Sequence, residues 1–206
     1  MTSEPLLDLH YITKSYRRDK VLRLENFTLQ EGDRLLVRGP NGCGKSTFLR
    51  ILAGLTEPDQ GRIAWNSRNP LSIVYLPQAM MGFADLSVYF NELLLGLVMG
   101  SRHRPEVAAT KSMIYFQARS HVPLGALSGG YRRLFSLKQA CSAGTDIFIL
   151  DEPLSQLDDQ RVSESIALLR EISSTAKVVV ASQPSNKTIQ HEFESLWNKH
   201  LSLDAD

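Results

Sequence analysis

Residues 34–52 read RLLVRGPNGCGKSTFLRIL, an apolar strand pattern, a glycine-rich loop and a helical pattern in direct succession. The loop matches the G-x-x-x-x-G-K-[ST] phosphate-binding motif along its whole length. Its residues are Gly39, Pro40, Asn41, Gly42, Cys43, Gly44, Lys45 and Ser46. Glycines let such a loop curl so that backbone N–H groups point inward, beside the partial positive charge of a helix N-terminus. The stretch therefore predicts a phosphate-binding loop, and a glycine-rich turn that merely caps a helix is the alternative.

Three side chains of this stretch are candidates for binding a nucleotide directly. Lys45 is expected to reach the β- and γ-phosphates, and Ser46 to ligate Mg²⁺ through its hydroxyl. Thr47 is a neighbouring polar group at the helix start. Cys43 is either a thiol that lies near the phosphates or an inert small residue of the loop.

A second chemical signal is the run DIFILDE at 146–152, an apolar strand that ends in two acids. Such a strand delivers carboxylates to the C-terminal edge of a parallel sheet. We expect Asp151 to be a direct or outer partner of Mg²⁺, and Glu152 to polarise the water that attacks the γ-phosphate. An acid pair that caps a helix is the alternative.

Composition places the chain among ordinary folded proteins. It has 206 residues, 43% hydrophobic and 22% charged, with a formal net charge of +1. This composition argues against a disordered or disulfide-scaffold protein. A net charge near zero also gives no positive electrostatic potential that would indicate a nucleic-acid partner. Two cysteines form no disulfide framework, the first eight residues lack a secretory signal, and the apolar stretch 93–99 is too short to span a bilayer. We expect a cytoplasmic protein, which, if it works at a membrane, docks there through a partner.

The chain reads as an α/β protein with one domain, 1–206. Short strands and tight turns open it, and longer helical patterns follow over 83–119, broken near 102–105. Strand signals return at 147–150 and 178–181 with a helix between them, which predicts two buried parallel strands joined by a crossover. The helical part, approximately 79–143, is expected to be a subdomain inserted within the nucleotide-binding core.

Residues 127–133, LSGGYRR, resemble the signature sequence of ATP-binding cassette (ABC) ATPases. The phosphate loop, the signature and the acidic strand occur in the order of that family. Tyr16 stands where the family has its adenine-stacking aromatic, Gln78 where it has the Q-loop glutamine, and 155–158 (SQLD) where it has the D-loop. The resemblance implies a P-loop NTPase-type, mainly parallel sheet with flanking helices, an antiparallel β subdomain and a helical signature subdomain.

The signature adds a second site for an anion. Ser128, Gly129 and Gly130 precede a helical run, so they combine free backbone N–H groups with a positive helix end. By resemblance, two subunits pair head to tail around two MgATP, with each signature covering the phosphate loop of the other. A homodimer is the first expectation and a heterodimer the alternative. The resemblance also implies integral-membrane permease subunits as partners, which dock beside residues 83–92, and no nucleic acid is expected.

Two further site residues keep open alternatives. Tyr16 stacks on adenine or is an ordinary packed aromatic. Gln78 contacts Mg²⁺ or the attacking water and transmits the nucleotide state to the helical subdomain, or it is a glutamine that faces solvent.

The chain departs from the family pattern at two positions. The fifth signature residue is Tyr131 instead of glutamine, and Gln183 follows the strand 178–181 where the family has a histidine that touches the γ-phosphate. A glutamine amide donates a hydrogen bond but carries no positive charge. Slow turnover is the resulting hypothesis.

The leading functional hypothesis is an ABC transport motor, an ATP hydrolase that drives separate permease subunits. The alternative is an ATP-gated clamp or regulatory module with weak or no turnover. Soluble family members of translation or DNA repair are a third class, but those are expected to carry tandem cassettes or long coiled coils. The transported substrate and the direction of transport are properties of the permease, which this sequence does not contain.

Overall fold

The fold is given by a computed structural model, which describes residues 4–16, 19–79, 81–98, 111–155, 157–183 and 190–203. A three-stranded antiparallel sheet has the order β2-β1-β4, and a five-stranded parallel sheet has the order β5-β6-β7-β3-β8. In chain order the elements are β1 (Leu7–Tyr16), β2 (Asp19–Leu29), β3 (Arg34–Arg38), α1 (Lys45–Leu52), β4 (Gln60–Trp65), β5 (Ile73–Leu76), α2 (Val88–Val98), α3 (Lys111–Ala118), a 3₁₀ turn (Leu124–Ala126), α4 (Gly129–Ser142), β6 (Ile147–Leu150), α5 (Asp159–Thr175), β7 (Val178–Ser182), α6 (Gln190–Glu194) and β8 (Lys199–Ser202).

The parallel sheet is buried on both faces, which explains its continuous apolar strands. Successive side chains point to opposite faces, so each strand feeds two cores. Leu35, Ile149 and Val180 pack against α1 and the antiparallel sheet. Phe148 and Val179 pack on the other face, against α4 and α5.

This topology gathers the polar loops at one edge. Strands β3, β5, β6 and β7 are parallel neighbours, so their C-terminal ends point the same way. The phosphate loop follows β3, Gln78 follows β5, and the acid pair follows β6. Ligands of open α/β sheets bind at this edge.

Most sequence-predicted elements are present, with changed limits. Residues 27–30 read as part of a second strand, and that strand runs from 19 to 29; residues 71–75 read as a further strand, which runs from 73 to 76. Strands β6 and β7 pair in parallel and are connected by α5, as predicted. Gly54 follows a helical pattern and reads as its C-cap; it lies one residue beyond the C-cap Ala53, with φ of 70°.

One strand was not predicted from the sequence. Strand β8 carries the polar residues Lys199 and His200 and lies at the sheet edge beside β3. The expected break near 102–105 and Gln156 of the D-loop lie outside the described residues.

Candidate functional site

The phosphate loop curls through three glycines with positive φ. Gly39, Gly42 and Gly44 have φ of 145°, 86° and 96°, a region that L side chains rarely adopt. Gly39 also lacks room for a side chain, because a Cβ atom there would lie 2.4 Å from the carbonyl oxygen of Leu203. The motif glycines are therefore required by the backbone path.

The loop opens into a cavity of about 420 Å³ at the C-terminal edge of the parallel sheet. The described residues that line it are Asn41, Gly42, Gly44, Lys45, Ser46, Thr47, Gln78 and Glu152. Residues from three different strand ends therefore meet in one concave site. Tyr16, Asp151, Gln183 and the signature residues lie outside this lining.

Lys45 is held inside the loop that carries it. Its side chain is largely buried, and Nζ donates hydrogen bonds to the carbonyl oxygens of Gly39 at 2.8 Å and Pro40 at 3.0 Å. The ammonium group therefore lies against carbonyl oxygens of the loop, and the N–H groups at the start of α1 favour an anion in the cavity that Lys45 lines.

Gln78 and Glu152 meet across the cavity. The amide Nε2 of Gln78 donates a 3.1 Å hydrogen bond to Oε2 of Glu152. Glu152 has a left-handed backbone with φ of 46°, which costs a non-glycine residue of the order of 1–3 kcal/mol. Surrounding contacts must hold this conformation, and two side chains provide them.

The first is Ser182, which bridges the acid pair. Its hydroxyl accepts a hydrogen bond from the backbone N–H of Glu152 at 2.7 Å and donates one to Oδ1 of Asp151 at 2.9 Å. Ser182 is fully buried, and Asp151 is 3% exposed. The serine at the end of β7 thus fixes both acids at the end of β6.

Tyr75 completes the environment of Asp151. Its hydroxyl donates to Oδ2 at 3.4 Å. Burial, reinforced by the negative charge of Asp151, raises the pKa of Tyr75 to about 12. The phenol therefore stays protonated and remains a donor near neutral pH.

The second side chain that holds the backbone of Glu152 is Arg133, which the sequence motifs do not single out. Its guanidinium donates to the carbonyl oxygens of Pro77, Asp151, Glu152 and Pro153. Burial lowers the pKa of Arg133 to about 10, so the side chain is still charged at neutral pH. It joins the signature helix α4 to the loops after β5 and β6, and its position as the last residue of the signature stretch 127–133 was the available signal.

The oxygen donors of the site fit a magnesium ion that is bound jointly with phosphates. Mg²⁺ in phosphate-transfer sites takes one or two carboxylates, and phosphate and water oxygens complete the shell. Ser46 and Gln78 line the cavity, and Asp151, which directly precedes Glu152 in the chain, is not among the lining residues. Among the described residues, no group of three or more His, Cys, Asp or Glu side chains forms a separate metal site.

The signature residues stand apart from the cavity. Ser128 is the N-cap of α4, exposed to solvent, and its side chain makes no capping hydrogen bond. Gly129 and Gly130 form the first turn of α4. The first N–H groups of α4 have no hydrogen-bond acceptor within the helix.

The remaining predicted residues have simpler surroundings. Tyr16 ends β1 and is 44% exposed, with Nζ of Lys14 at 5.6 Å from its ring centre. Gln183 is half-buried directly after β7, and its backbone N–H donates to the carbonyl oxygen of Val37 at 2.9 Å. Cys43 is buried among core residues and is not among the residues that line the cavity.

Within the described part of the chain, every helix is too short or too polar to cross a bilayer.

Residues 22–155 match a family model described as ABC transporter. The chain is 28% identical to the spermidine/putrescine import ATP-binding protein PotA of Pasteurella multocida (strain Pm70), over 98% of this chain and 59% of that protein. It is 31% identical to the cytochrome c biogenesis ATP-binding export protein CcmA of Xylella fastidiosa (strain 9a5c), over 83% of this chain and 78% of that protein. The chain thus spans about three fifths of the length of PotA.

A solved structure gives the same picture of the fold. An ATP-binding subunit of an ABC transporter superposes with a TM-score of 0.77 at 20% identity, covering 96% of this chain and 85% of that one. This similarity confirms the predicted α/β fold class.

Proposed function

Since the chain belongs to the ABC transporter family, we propose that it binds and hydrolyses ATP and thereby powers transport through separate membrane-spanning subunits. The observation that carries this proposal is the shared cavity of Lys45, Ser46, Gln78 and Glu152. A phosphate cradle, a candidate base and a polar sensor face one space there. This is the set of groups that phosphoryl transfer to water requires.

Each of these groups has a role in the proposed hydrolysis. Lys45 and the N–H groups at the start of α1 stabilise charge on the β- and γ-phosphate oxygens. Glu152 accepts the proton of the water that attacks the γ-phosphorus, while the bond between the γ-phosphorus and the bridging oxygen breaks to release ADP. Gln78 holds the Glu152 carboxylate through the 3.1 Å hydrogen bond.

We assign Mg²⁺ to Ser46, Gln78 and Asp151. The ion would neutralise charge between the β- and γ-phosphates. Asp151 is kept as an acceptor by Ser182 and Tyr75, which both donate to its carboxylate oxygens.

The proposed working unit is a head-to-tail dimer that encloses two ATP molecules. Ser128 is exposed, and the signature helix end lies outside the lining of the phosphate cavity in the same chain. A signature that binds ATP therefore serves a second subunit. When the two subunits are related by a two-fold axis, both ATP sites are formed by the same self-complementary surface of each subunit. A homodimer is the simplest such arrangement.

An apolar surface formed by α2 and the loop before it supports the proposed permease partner. Its exposed members are Phe83, Leu86, Tyr89, Phe90, Leu93 and Leu97. Large exposed apolar side chains that are concentrated in one segment are typical of interaction sites. The buried side chain of Asn91 fixes the loop before α2, since its Nδ2 donates to the carbonyl oxygens of Phe83, Leu86 and Ser87.

The relatives do not decide the direction of transport, because PotA is named as an import protein and CcmA as an export protein. We propose that this chain works at the cytoplasmic face of a membrane, held there by the permease. In this proposal the permease determines which substrate is transported.

The first experiment tests the phosphate cavity. Calorimetric titration with ATP and Mg²⁺ is expected to show binding to the native chain. Lys45→Ala should weaken it by about 10- to 100-fold, the value of a lost charge-assisted hydrogen bond. Lys177→Ala, which removes a surface partner of Asp146, is the matched control. A native chain that binds no ATP, or a Lys45→Ala variant with native affinity, would refute the proposal.

The second experiment tests the partner. A photo-crosslinking residue at position 90, on the apolar surface of α2, is expected to capture an integral-membrane protein in cells. Position 55 offers an equally exposed apolar control, since Leu55 is 58% and Phe90 54% exposed. Capture at both positions alike, or at neither, contradicts docking through α2.

A specific observation favours a second candidate function, an ATP-gated clamp with weak turnover. Gln183 stands at the position where the family has the histidine that touches the γ-phosphate, and its neutral amide stabilises charge less than an imidazolium does. Tight ATP-dependent dimerisation with negligible phosphate release would favour this candidate over the motor.

A further inference from the structure

Tyr131, the unusual fifth residue of the signature, lies in a stack of four planar side chains. Its ring lies parallel to that of Tyr115, with centroids 3.5 Å apart and an angle of 5° between the planes. The guanidinium of Arg161 lies 3.8 Å from the centre of the Tyr131 ring, and that of Arg119 lies 3.9 Å from the centre of the Tyr115 ring. We call this set, Arg119, Tyr115, Tyr131 and Arg161, the Tyr131 stack.

The order of the stack follows from the distances. One face of a ring holds a single planar group at 3.5–4 Å, so Tyr115 and Arg161 must cover opposite faces of Tyr131. The same reasoning puts Arg119 on the outer face of Tyr115. Each guanidinium faces the negative π surface of a ring, which is the favourable arrangement for a cation.

The four side chains come from three different parts of the fold. Tyr115 belongs to α3, and Arg119 directly follows that helix. Tyr131 lies in the first turn of α4, and Arg161 in the first turn of α5. The stack therefore connects the helical subdomain, the signature and the segment that follows the D-loop.

Arg161 is itself attached to the D-loop. Its guanidinium forms an ion pair with Asp158, the last residue of the D-loop. Asp158 also caps α5, since its Oδ1 accepts a hydrogen bond from the backbone N–H of Arg161 at 3.1 Å. The carboxylate thus orients both the helix start and the cation that covers Tyr131.

The Tyr131 ring is anchored from the side as well. Phe116 approaches it edge to face at 6.1 Å and approaches Phe135 at 5.6 Å. Phe116 and Phe135 are buried in the apolar cluster of the helical subdomain. Tyr131 is therefore held on both faces and at its edge.

We propose that Tyr131 is a positioning residue that joins the signature to the D-loop through Arg161, so that the two segments move as one unit. The inference rests on the proposed function where it holds that the signature acts on the ATP of a partner subunit. Glutamine, the usual residue at this position, has no π face for the Arg161 cation. In this chain, an aromatic and cationic contact fixes the relative position of the two segments.

The test on the isolated chain is hydrogen exchange measured in both directions. Tyr131→Leu should speed exchange at the 158–162 amides by roughly 2- to 30-fold, the range that corresponds to one cation–π contact. Arg161→Leu should speed exchange by a similar factor at 128–132. Tyr131→Phe, which keeps the ring, should match the native chain. Arg170→Leu removes an exposed arginine further along α5 and is the matched control.

Exchange that changes only in the mutated segment would overturn the proposal. The result does not depend on ATP, so a chain that fails to bind nucleotide would refute the proposed function and leave this test decisive.

A second readout addresses the dimer. In a Glu152→Gln background, sedimentation with ATP and Mg²⁺ measures the dimer affinity of Tyr131→Leu, Arg161→Leu and the double variant. Each single variant should lower the dimer affinity by roughly 2- to 30-fold. The double variant should lose no more affinity than the single variant with the larger loss, because both changes remove the same contact. Fully additive losses would contradict a shared contact. Calorimetry on the monomer should give native ATP affinity for all three, since the phosphate loop is untouched.

Discussion

The amide of Gln78 donates a 3.1 Å hydrogen bond to the carboxylate of Glu152, so the segments that follow β5 and β6 are joined inside the phosphate cavity. The amide is a neutral donor, so it orients the carboxylate without adding a charge that would hinder proton transfer. This geometry supports the proposed role of Glu152 as the base, with its carboxylate held in a fixed direction.

Replacing Glu152 tests that role. Glu152→Gln keeps the shape and an oxygen acceptor for Gln78 but removes the base. We expect ATP hydrolysis to fall by roughly 10²- to 10⁴-fold, with ATP affinity retained. Phosphate release and calorimetry measure the two quantities. Glu192→Gln, on an exposed ion pair, is the control, and an unchanged hydrolysis rate in Glu152→Gln would exclude Glu152 as the base.

Replacing Gln183 tests the hypothesis of slow turnover. We expect slow hydrolysis by the native chain and an increase of about fivefold in Gln183→His, since a charged donor forms a hydrogen bond roughly twice as strong. Gln117→His adds a histidine at an exposed position of α3 as a control. A fast native chain that Gln183→His does not accelerate would show that the glutamine has no such cost.

Ser182 tests the bridge between the acids. Ser182→Ala leaves the buried Asp151 oxygen and the Glu152 N–H without their partner. Unsatisfied buried groups cost about 1–3 kcal/mol, so the free energy of unfolding should drop by that amount. Denaturant unfolding measures it, with Ser174→Ala, which removes an exposed hydroxyl of α5, as the control. Equal stability of the two variants would contradict a structural role of the bridge.

Asp146 tests the dependence of stability on pH. Hydrogen bonds from Ser72, supported by Lys177, hold the pKa of Asp146 below its usual 3.8. The folded state therefore binds this proton less readily than the unfolded state, so the stabilisation is present above pH 3.8 and is lost as the pH falls through the lowered folded pKa.

We expect Asp146→Asn to lower stability at pH 7 and to flatten its acid dependence, as measured by unfolding between pH 2 and pH 7. Glu192→Asn is the control for loss of a surface carboxylate. An Asp146→Asn variant with the native acid slope would assign that slope to other groups.

Local sequence patterns were sufficient for the parts of the site that are continuous in the chain. The phosphate loop is fixed by consecutive residues, because Gly42 and Gly44 need positive φ and Lys45 begins the helix. Strands β6 and β7 were predicted because strands buried on both faces are unbroken apolar runs. Strand β8 has no such run, since its polar residues lie at the sheet edge.

By itself, then, the sequence determined the α/β class, the phosphate loop and the order of the motifs, since each depends on neighbours within a few residues. The tertiary structure decided that Ser182 bridges Asp151 and Glu152, that Arg133 spans four carbonyl oxygens, and that Tyr131 is covered by Arg161. These contacts join residues 18 to 56 positions apart. A local sequence pattern cannot predict which of these distant residues will be in contact. The packing of α4 against α5 and the pairing of β6 with β7 bring them together.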